Sequence, residues 1–411
     1  MVKVKASYKD LRGIFNELGV VYKSKNIVDK DKTIIFDLTG EDVVLYAFAT
    51  GASARRVVDK GVLEVIKEGI YNPSYFQVPL VALDNFLNVF SNGRGVPLDI
   101  EIEVESEHDL SVILTEELEI NDTKEVNTSL AKFTTYPVYD KVLKNVELLN
   151  VVDKLEFSVV GEVQRKEIST MISDLLPYLP EKLNDAAKNR VAVSFFNDYV
   201  QCNDAIRVVR YDNKFKGIFD NGGLSVHALG VIDGIFKLTD DITYVQDVVN
   251  KVLVFKTSKL LISVVFDLEP RAYPRDFFAL IKDDNYVEVS RVDLVEVLTR
   301  MGALEKSVDL GKVLISTDLT YKVATFSTDS YAQPVKVVSL NSNDVEGLQG
   351  GLCNFEVPVN LGHLQGMLLG KTGVHSDNIR FTVQPDVGGK YFFRADDSSG
   401  VWTILIMIQR G

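Results

Sequence analysis

The chain has 411 residues, of which 46% are hydrophobic and 25% are charged, and its formal net charge is −13. This length allows about three domains of ordinary size, and the acidic balance argues against a protein that binds nucleic acid through a generally basic surface. Two cysteines exclude a disulfide framework and favour a reducing compartment, and no apolar run approaches the ~18 residues of a membrane helix.

The first third of the chain contains two apolar stripes with helical spacing. A strand is predicted over residues 2–5, and Ser7 with Asp10 supplies a hydroxyl at a helix N-cap and an acid three residues later. Residues 33–48 read as a strand, a turn and a second strand. The two stripes are Leu11, Ile14, Phe15 and Leu18, then Leu80, Leu83, Phe86 and Leu87. Each stripe places four side chains on one face of a helix.

The middle third repeats this order. A strand is predicted over residues 155–159 and a strand–turn–strand unit over residues 191–202. Between them, the run from Gln164 to Glu167 keeps the acid of the helix start and lacks the hydroxyl. The stripes are Ile168, Met171, Ile172 and Leu175, then Leu229, Ile232, Ile235 and Phe236.

The last third repeats it again, with strands over residues 286–289 and 401–408, a strand–turn–strand unit over residues 313–326, and a helix start at Ser290 and Asp293. Its stripes are Leu294, Val297, Leu298 and Met301, then Leu361, Leu364, Met367 and Leu368. The second stripe begins 69, 61 and 67 residues after the first in the three copies. We predict an α+β fold of three repeated domains, residues 1–140, 141–285 and 286–411, each an antiparallel sheet with two helices.

Several weaker patterns have simple interpretations. Residues 126–129 and 270–285 read as connectors, and the alternation of Glu101, Glu103, Glu105 and Glu107 predicts a solvated strand face. The segment 366–372 has three residues between its glycines, whereas a phosphate loop needs four. The four histidines show no metal-ligand spacing, so we expect neither a metal nor another cofactor.

Two short motifs point to a family. Asn203-Asp204-Ala205-Ile206-Arg207 resembles the Thr-Asp-x-x-Arg motif of the β-type DNA polymerase sliding clamps, and Tyr273-Pro274 with Phe277 resembles their Phe-Pro motif. The threefold plan extends the resemblance over essentially the whole chain. The ending Ile406-Met-Ile-Gln-Arg-Gly411 departs from the family's Met-Pro-Met-Arg/Lys-Leu, which indicates a divergent, cellular or viral, clamp.

The resemblance implies a processivity factor of DNA replication that is not an enzyme. Two subunits would join head to tail as a homodimeric ring around double-stranded DNA, with the helices lining the hole. The implied partners are a DNA polymerase, for which the chain is an accessory protein, a clamp loader and a second copy of the chain, and no membrane. The implied location is the cytoplasm of a bacterium, or of the host of a virus.

A ring that holds DNA topologically needs only a modestly positive lining. The basic residues on or beside the predicted helices are Lys9, Arg12, Lys23, Lys25, Arg165, Lys166, Lys188, Arg190, Arg291, Arg300 and Lys371. We expect them to face DNA, although the same side chains would equally well solvate exposed helix faces. Asp233, Asp240 and Asp241 make one second helix acidic.

The resemblance also implies a hydrophobic groove between the middle and last domains, where partners dock a short peptide. The matching positions are Ala205, Ile206, Val208, Tyr273, Pro274, Phe277, Ile404, Ile406 and Ile408. Strand alternation puts the three isoleucines on one face, which a buried core would also explain.

The main alternative is a structural or assembly scaffold, for example a viral one, built from the same repeated domain. Basic helix faces favour a clamp, and acidic or apolar faces favour a scaffold. A small-molecule enzyme is a third and more distant reading, because no catalytic constellation repeats or clusters in the sequence.

Overall fold

The apolar stripes of the sequence form helices in the computed structural model. It describes residues 1–22, 32–91, 95–120, 123–176, 179, 192–203, 207–239, 241–270, 286–304, 312–318, 323–328, 331–341, 356–368, 377–385, 391–397 and 402–408. Within these residues the helices are α1 Tyr8–Leu18, α2 Leu80–Ser91, α3 Asp140–Val152, α4 Glu162–Leu175, α5 Val226–Leu238, α6 Arg291–Leu304 and α7 Leu361–Leu368, with a 3₁₀ turn at Gly19–Tyr22. None of these described helices is both long enough and apolar enough to cross a membrane.

The described stripe residues turn toward the core as predicted. All four stripe residues of α1, α4, α5 and α6 are buried, and so are Leu361 and Leu364 of α7. In α2, Leu80, Leu83 and Leu87 are buried and Phe86 is half-buried. Helical periodicity therefore located six helices correctly.

The helix starts at Ser7 and Ser290 are also confirmed. The Asp10 amide donates to Ser7 Oγ at 3.1 Å, and the Asp293 amide donates to Ser290 Oγ at 3.4 Å. The start assigned to Gln164 was wrong, because α4 already begins at Glu162. Glu162 places an acid in the first turn, where the helix dipole stabilises it.

Twenty-five strands occur in the described residues. They are β1 Val2–Ser7, β2 Thr33–Asp37, β3 Val44–Ala49, β4 Ala52–Val57, β5 Glu64–Lys67, β6 Tyr75–Pro79, β7 Gly95–Val104, β8 Asp109–Ile120, β9 Thr123–Thr134, β10 Ser158–Val159, β11 Ala192–Phe195, β12 Tyr199–Asn203, β13 Arg207–Asp212, β14 Gly222–Ser225, β15 Thr243–Asp247, β16 Val252–Lys256, β17 Leu260–Asp267, β18 Tyr286–Ser290, β19 Lys312–Asp318, β20 Val323–Ser327, β21 Ala332–Asn341, β22 Glu356–Asn360, β23 Asn378–Pro385, β24 Tyr391–Asp397 and β25 Trp402–Ile408.

The chain divides into two units. Unit 1 comprises Met1–Arg165 and His227–Phe266, and unit 2 comprises Lys166–Val226 and Asp267–Gly411. These units cut across the predicted boundaries after residues 140 and 285, because strands from consecutive predicted domains pair with each other. The three-domain boundaries stay a prediction.

Unit 1 contains two antiparallel sheets. The first has the order β5–β1–β7–β8–β9. The second has the order β6–β2–β3–β4–β17–β16–β15–β10. We call the pairing of β4 with β17 the first seam, since it joins the first predicted domain to the second. Ala54 lies opposite Ile262 in this seam.

Unit 2 contains one long antiparallel series, β14–β11–β12–β13–β25–β24–β23–β18–β21–β20–β19–β22. We call the pairing of β13 with β25 the second seam. It joins the second predicted domain to the third in the same way, with Val209 opposite Ile404.

Two interpretations of the sequence were wrong in the first sheet. Residues 126–129 lie inside β9 instead of forming a connector. Glu101 and Glu103 are half-buried on β7 and bind Lys3 of β1, so they do not form a solvated face, and Glu105 and Glu107 lie beyond the end of β7. The lysines of β1 lie opposite these acids in register, a pairing that alternation along one strand does not reveal.

Candidate nucleic-acid interface and partner groove

Each of the three helix pairs is bridged by one polar side chain. Arg12 of α1 donates to Asp84 of α2 at 3.0 Å, and Arg165 of α4 donates to the carbonyl oxygen of Phe236 in α5 at 3.3 Å. In the third pair, Gln365 of α7 donates to the carbonyl oxygen of Leu298 in α6 at 2.7 Å. The predicted first and second helices are therefore neighbours in all three copies.

On the first pair, Arg12 contacts side chains of α2 and Lys9 is exposed. The Arg12 guanidinium contacts Asp84 at 3.0 Å and Asn88 at 2.9 Å. Burial raises the pKa of the Asp84 carboxyl, and the neighbouring Arg12 opposes that rise. Arg12 thus compensates a half-buried acid, which leaves less of its charge for a phosphate.

On the second pair, Arg165 holds the end of α5. Its Nη1 donates to the carbonyl oxygens of Phe236 and Thr239 at 3.3 and 3.4 Å. A cation at this position satisfies terminal carbonyl groups and interacts favourably with the helix dipole. Lys166, the next residue, is exposed on α4.

On the third pair, Arg300 is exposed and contacts two nearby side chains. It forms an ion pair with Glu296 one turn earlier and donates to Gln333 Oε1 at 3.2 Å. Arg291 is half-buried at the first position of α6. The other predicted DNA-binding residues lie outside the described residues: Lys23, Lys25, Lys188, Arg190 and Lys371.

The six paired helices are not basic. Together they contain seven basic and nine acidic residues over 72 positions, a net charge of −2. This density is close to that of the whole chain, with −13 over 411 residues. Any strong attraction for phosphates would come from residues that flank these helices.

The predicted groove positions fall partly in the second seam. Val208 is buried on β13 and lies opposite Leu405, whereas Ile404 and Ile406 lie opposite Val209 and Arg207. Val208 therefore lies on the strand next to β25, and the residue opposite it is Leu405, which stands between the two isoleucines in the sequence. Ile408 lies opposite Tyr391 of β24. Ala205, Ile206, Tyr273, Pro274 and Phe277 lie outside the described residues.

Two strand edges were missed by the sequence analysis. In the described part of the chain, β9 pairs with β8 alone, and the first half of β21 pairs with β20 alone. The Thr135 amide donates to His108, so alternate β9 amides, including those of Val126 and Lys132, face the free edge. The Thr328 amide donates to the carbonyl of Tyr331, so by the same alternation Ala332, Pro334 and Lys336 face the free edge of β21.

Pro334 is compatible with the free edge of β21. Pro334 has no backbone N–H, and its nitrogen faces the free edge, so no ladder hydrogen bond within the chain is lost. An exposed proline among alternating strand residues is the sequence signal that could have identified this edge.

Comparisons with known proteins give a clear answer on fold. No protein-family model and no curated protein matches the chain. Solved structures do match it, each with all of this chain and all of the other chain covered. They include the DNA polymerase III beta subunit of Thermotoga maritima (12% identity, TM-score 0.64), the DNA polymerase sliding clamp of Pseudomonas aeruginosa (12%, 0.62) and the DNA polymerase beta subunit of Streptococcus pyogenes (14%, 0.62).

The full-length match agrees with the predicted α+β class and with the repeated units of helices and antiparallel strands. The low identity is consistent with the scarcity of literal motifs in the sequence. The chain has the fold of the β-type DNA polymerase sliding clamps.

Proposed function

We propose that this protein is a sliding clamp: a non-catalytic ring that encircles double-stranded DNA and tethers a DNA polymerase for processive synthesis. The observation that carries the proposal is the threefold repetition of one helix pair and one strand plan along a chain with the full-length clamp fold. Three copies per chain would give six in a homodimer. The predicted domains 1–140, 141–285 and 286–411 are the repeating units of this proposal.

The two seams suggest how the ring closes. In each seam, the last strand of one copy pairs with the fourth strand of the copy before it: β17 with β4, and β25 with β13. Applied once more, this rule leaves β9, the last strand of the first copy, and β21, the fourth strand of the last copy. We infer that β9 of one chain pairs with β21 of a second, which covers both free edges.

The two seams within the chain differ in register by one residue, and only the register of the first seam pairs the outward-facing amides of β9 and β21 in this third seam. Ser263 lies opposite Ser53 and Leu261 lies opposite Arg55. Counted from the hairpins that precede these strands, the equivalent pairs are Val126 with Ala332 and Lys124 with Pro334. Because Pro334 cannot donate a hydrogen bond, we expect the third seam to be weaker than the two seams within the chain.

The charge of the helices limits the way in which DNA is held. With a net charge of −2 on the paired helices, we infer that topology retains the DNA and that a few cations guide it. The predicted contacts remain Lys9, Arg12, Lys23, Lys25, Arg165, Lys166, Lys188, Arg190, Arg291, Arg300 and Lys371. Of the described residues in this set, Lys9, Lys166 and Arg300 are exposed, and Arg12 and Arg165 also contact neighbouring helices.

The same charge also favours the second candidate, a structural scaffold, and one experiment separates the two. The protein is threaded at high concentration onto linear plasmid DNA, whose free ends admit a closed ring, and ligase then closes the circle. The complex is isolated by gel filtration, and half is cut once with a restriction enzyme. A clamp stays on the circle and slides off the linear form. Equal retention on both forms, or no retention on either at low salt, would favour the scaffold.

We further propose that the second seam belongs to a groove for partner peptides of the polymerase and the clamp loader. Its predicted wall includes Val208 on β13 and Ile404, Ile406 and Ile408 on β25, with Ala205, Ile206, Tyr273, Pro274 and Phe277 beside them. One sliding clamp from Pseudomonas aeruginosa has been solved bound to griselimycin. We expect Ile408→Glu, at the end of β25, to abolish polymerase stimulation while circular dichroism stays unchanged.

A further inference from the structure

The three copies of the strand plan differ in one row of residues that crosses each sheet. In the first copy, Ile35 lies opposite Tyr46 and Tyr46 lies opposite Arg55. The equivalent rows are Ser194, Gln201 and Arg210 in the second copy and Ser316, Thr325 and Pro334 in the third. Two of the three positions are therefore apolar or aromatic in the first copy and polar in the other two.

Helix α3 explains the difference. Its buried residues Val146, Leu149 and Val152 form one core cluster with Ile35 and Tyr46. The opposite face of the same sheet carries Phe36, which makes an edge-to-face contact with Phe15 of α1. The first copy is thus covered by helices on both faces of its sheet, and its apolar row lies under α3.

The same cluster extends to the other side of the first seam. Val252 and Val254 of β16 and Leu261 of β17 belong to it together with Ile35 of β2 and Tyr46 of β3. The buried face of α3 therefore contacts strands on both sides of the line where β4 meets β17. Burial of these three aliphatic side chains therefore stabilises both sides of the seam through the hydrophobic effect.

Polar contacts fix the C-terminal end of α3 at the seam. Asp153, the C-cap residue, accepts a hydrogen bond from Arg55 Nη1 of β4 at 3.0 Å and forms an ion pair with Lys256 Nζ of β16 at 2.6 Å. Tyr46 Oη donates to Asn150 Oδ1 at 3.3 Å. One carboxylate thus binds a cation from each side of the first seam.

We propose that α3 is a brace that holds the two sides of the first seam together, so that unit 1 moves as one body. In this brace, Asp153 anchors the C-terminal end of α3 to both sides of the seam. Conformational changes of the protein, including any opening of the ring, then take place at other junctions. The brace itself depends only on contacts within unit 1, so it is tested without DNA or a second chain. The placement of ring opening elsewhere rests on the proposed function.

The test is amide hydrogen exchange of the whole protein, read at two bonds that cross the first seam. The Val57 amide donates to the Lys259 carbonyl at 3.2 Å, and the Val265 amide donates to the Gly51 carbonyl at 2.9 Å. The Thr135 amide, bound to His108 in the first sheet, serves as an internal reference. Exchange at these amides reports local opening of each sheet.

Two variants weaken the brace by different means, and one is a matched control. Asp153→Asn removes the charge that binds Arg55 and Lys256, and Leu149→Ala removes apolar contacts. Asp84→Asn makes the same chemical change in another Arg–Asp pair of unit 1, with the same 3.0 Å contact. We expect Asp153→Asn to speed exchange of Val57 and Val265 about tenfold, Leu149→Ala to speed it more, and Asp84→Asn to leave it unchanged.

Unchanged exchange at Val57 and Val265 in both brace variants would overturn the proposal. So would an equal rise at Thr135, because it would mean general destabilisation of unit 1 instead of loss of the brace. A clamp that lacks the brace would still slide on circular DNA, so failure here is distinguishable from failure of the proposed function.

Discussion

Gln365 of α7 donates its side-chain amide to the main-chain carbonyl of Leu298 in α6, at 2.7 Å. Gly302, one turn after Leu298, makes room for this contact, because a Cβ at position 302 would meet the Gln365 amide. A polar side chain thus reaches the backbone of a neighbouring helix where the helix carries no side chain. The third helix pair therefore depends on one glycine that periodicity does not explain.

Gly302→Ala should destabilise the protein even though alanine is the better helix former. The new methyl group displaces Gln365 and costs about 1 kcal/mol for the lost hydrogen bond. Gly13→Ala in α1 is the control, since no atom lies within 4 Å of a Cβ there, and it should stabilise by about 0.5–1 kcal/mol. Urea unfolding of both variants measures the difference, and equal midpoints would contradict the role of Gly302.

Glu101 should contribute to stability at neutral pH and lose that contribution in acid. Burial opposes its ionisation, but hydrogen bonds from Lys5 and Lys3 outweigh burial and lower the pKa of Glu101 below its ordinary 4.5. The stabilisation is therefore present above pH 4.5 and lost as the pH falls through the lowered pKa. Glu101→Gln should cost about 0.5–1 kcal/mol at pH 7.

The measurement is urea unfolding of wild type and Glu101→Gln between pH 3 and 7. The difference in free energy of unfolding should shrink toward zero at the acid end. A difference that is independent of pH would mean that the ion pairs with Lys3 and Lys5 do not carry the effect.

Val126→Pro should separate the proposed homodimer without unfolding the chain. The amide of Val126 faces the free edge of β9, so proline spares the β8–β9 ladder and removes a donor from the proposed third seam. Lys132→Pro is the matched control, because its amide faces the same edge but lies outside the proposed pairing with β21. Light scattering after gel filtration should give a monomer for Val126→Pro and a dimer for Lys132→Pro; two dimers would reject this register.

Lys9→Glu should reduce retention on circular DNA and lower the salt dependence of binding by about one phosphate contact. Lys9 is exposed on α1, where the proposal puts the DNA. Lys60→Glu is the control, since Lys60 is an exposed lysine in a loop, paired with Glu41 at 3.5 Å. Equal effects of the two reversals would indicate that net charge, and not the helix face, governs binding.

Arg12→Ala should act mainly on stability. Its guanidinium holds Asp84, whose pKa is raised by burial, so its loss leaves a half-buried carboxylate without its partner at a cost of about 1–3 kcal/mol. The double change Arg12→Ala with Asp84→Ala should recover part of this loss in thermal unfolding. If the double variant is as unstable as the sum of its parts, the pair is not coupled.

Local patterns predicted the parts of the fold that depend on neighbouring residues. Apolar spacing located the six paired helices, and Ser7 with Asp10 located a cap, because both features act within one or two turns. Helix α3 was not predicted because its cap residue, Tyr139, makes no side-chain hydrogen bond and because the exposed Val151 obscures the buried stripe of Val146, Leu149 and Val152.

Contacts between residues that lie far apart in the chain could not be predicted from the sequence. Arg12 and Asp84 are 72 residues apart, and Arg55 and Asp153 are 98 apart. A basic residue on a helix predicts DNA contact and local neutralisation equally well until its partner is known. The seams have the same difficulty, since the pairing of β13 with β25 joins strands almost two hundred positions apart.

The most direct test of the central claim is single-particle electron microscopy of the purified protein. The account predicts a closed ring of six lobes around a hole wide enough for duplex DNA, formed by two chains. A particle without a hole would contradict the sliding-clamp function and leave the scaffold as the remaining interpretation.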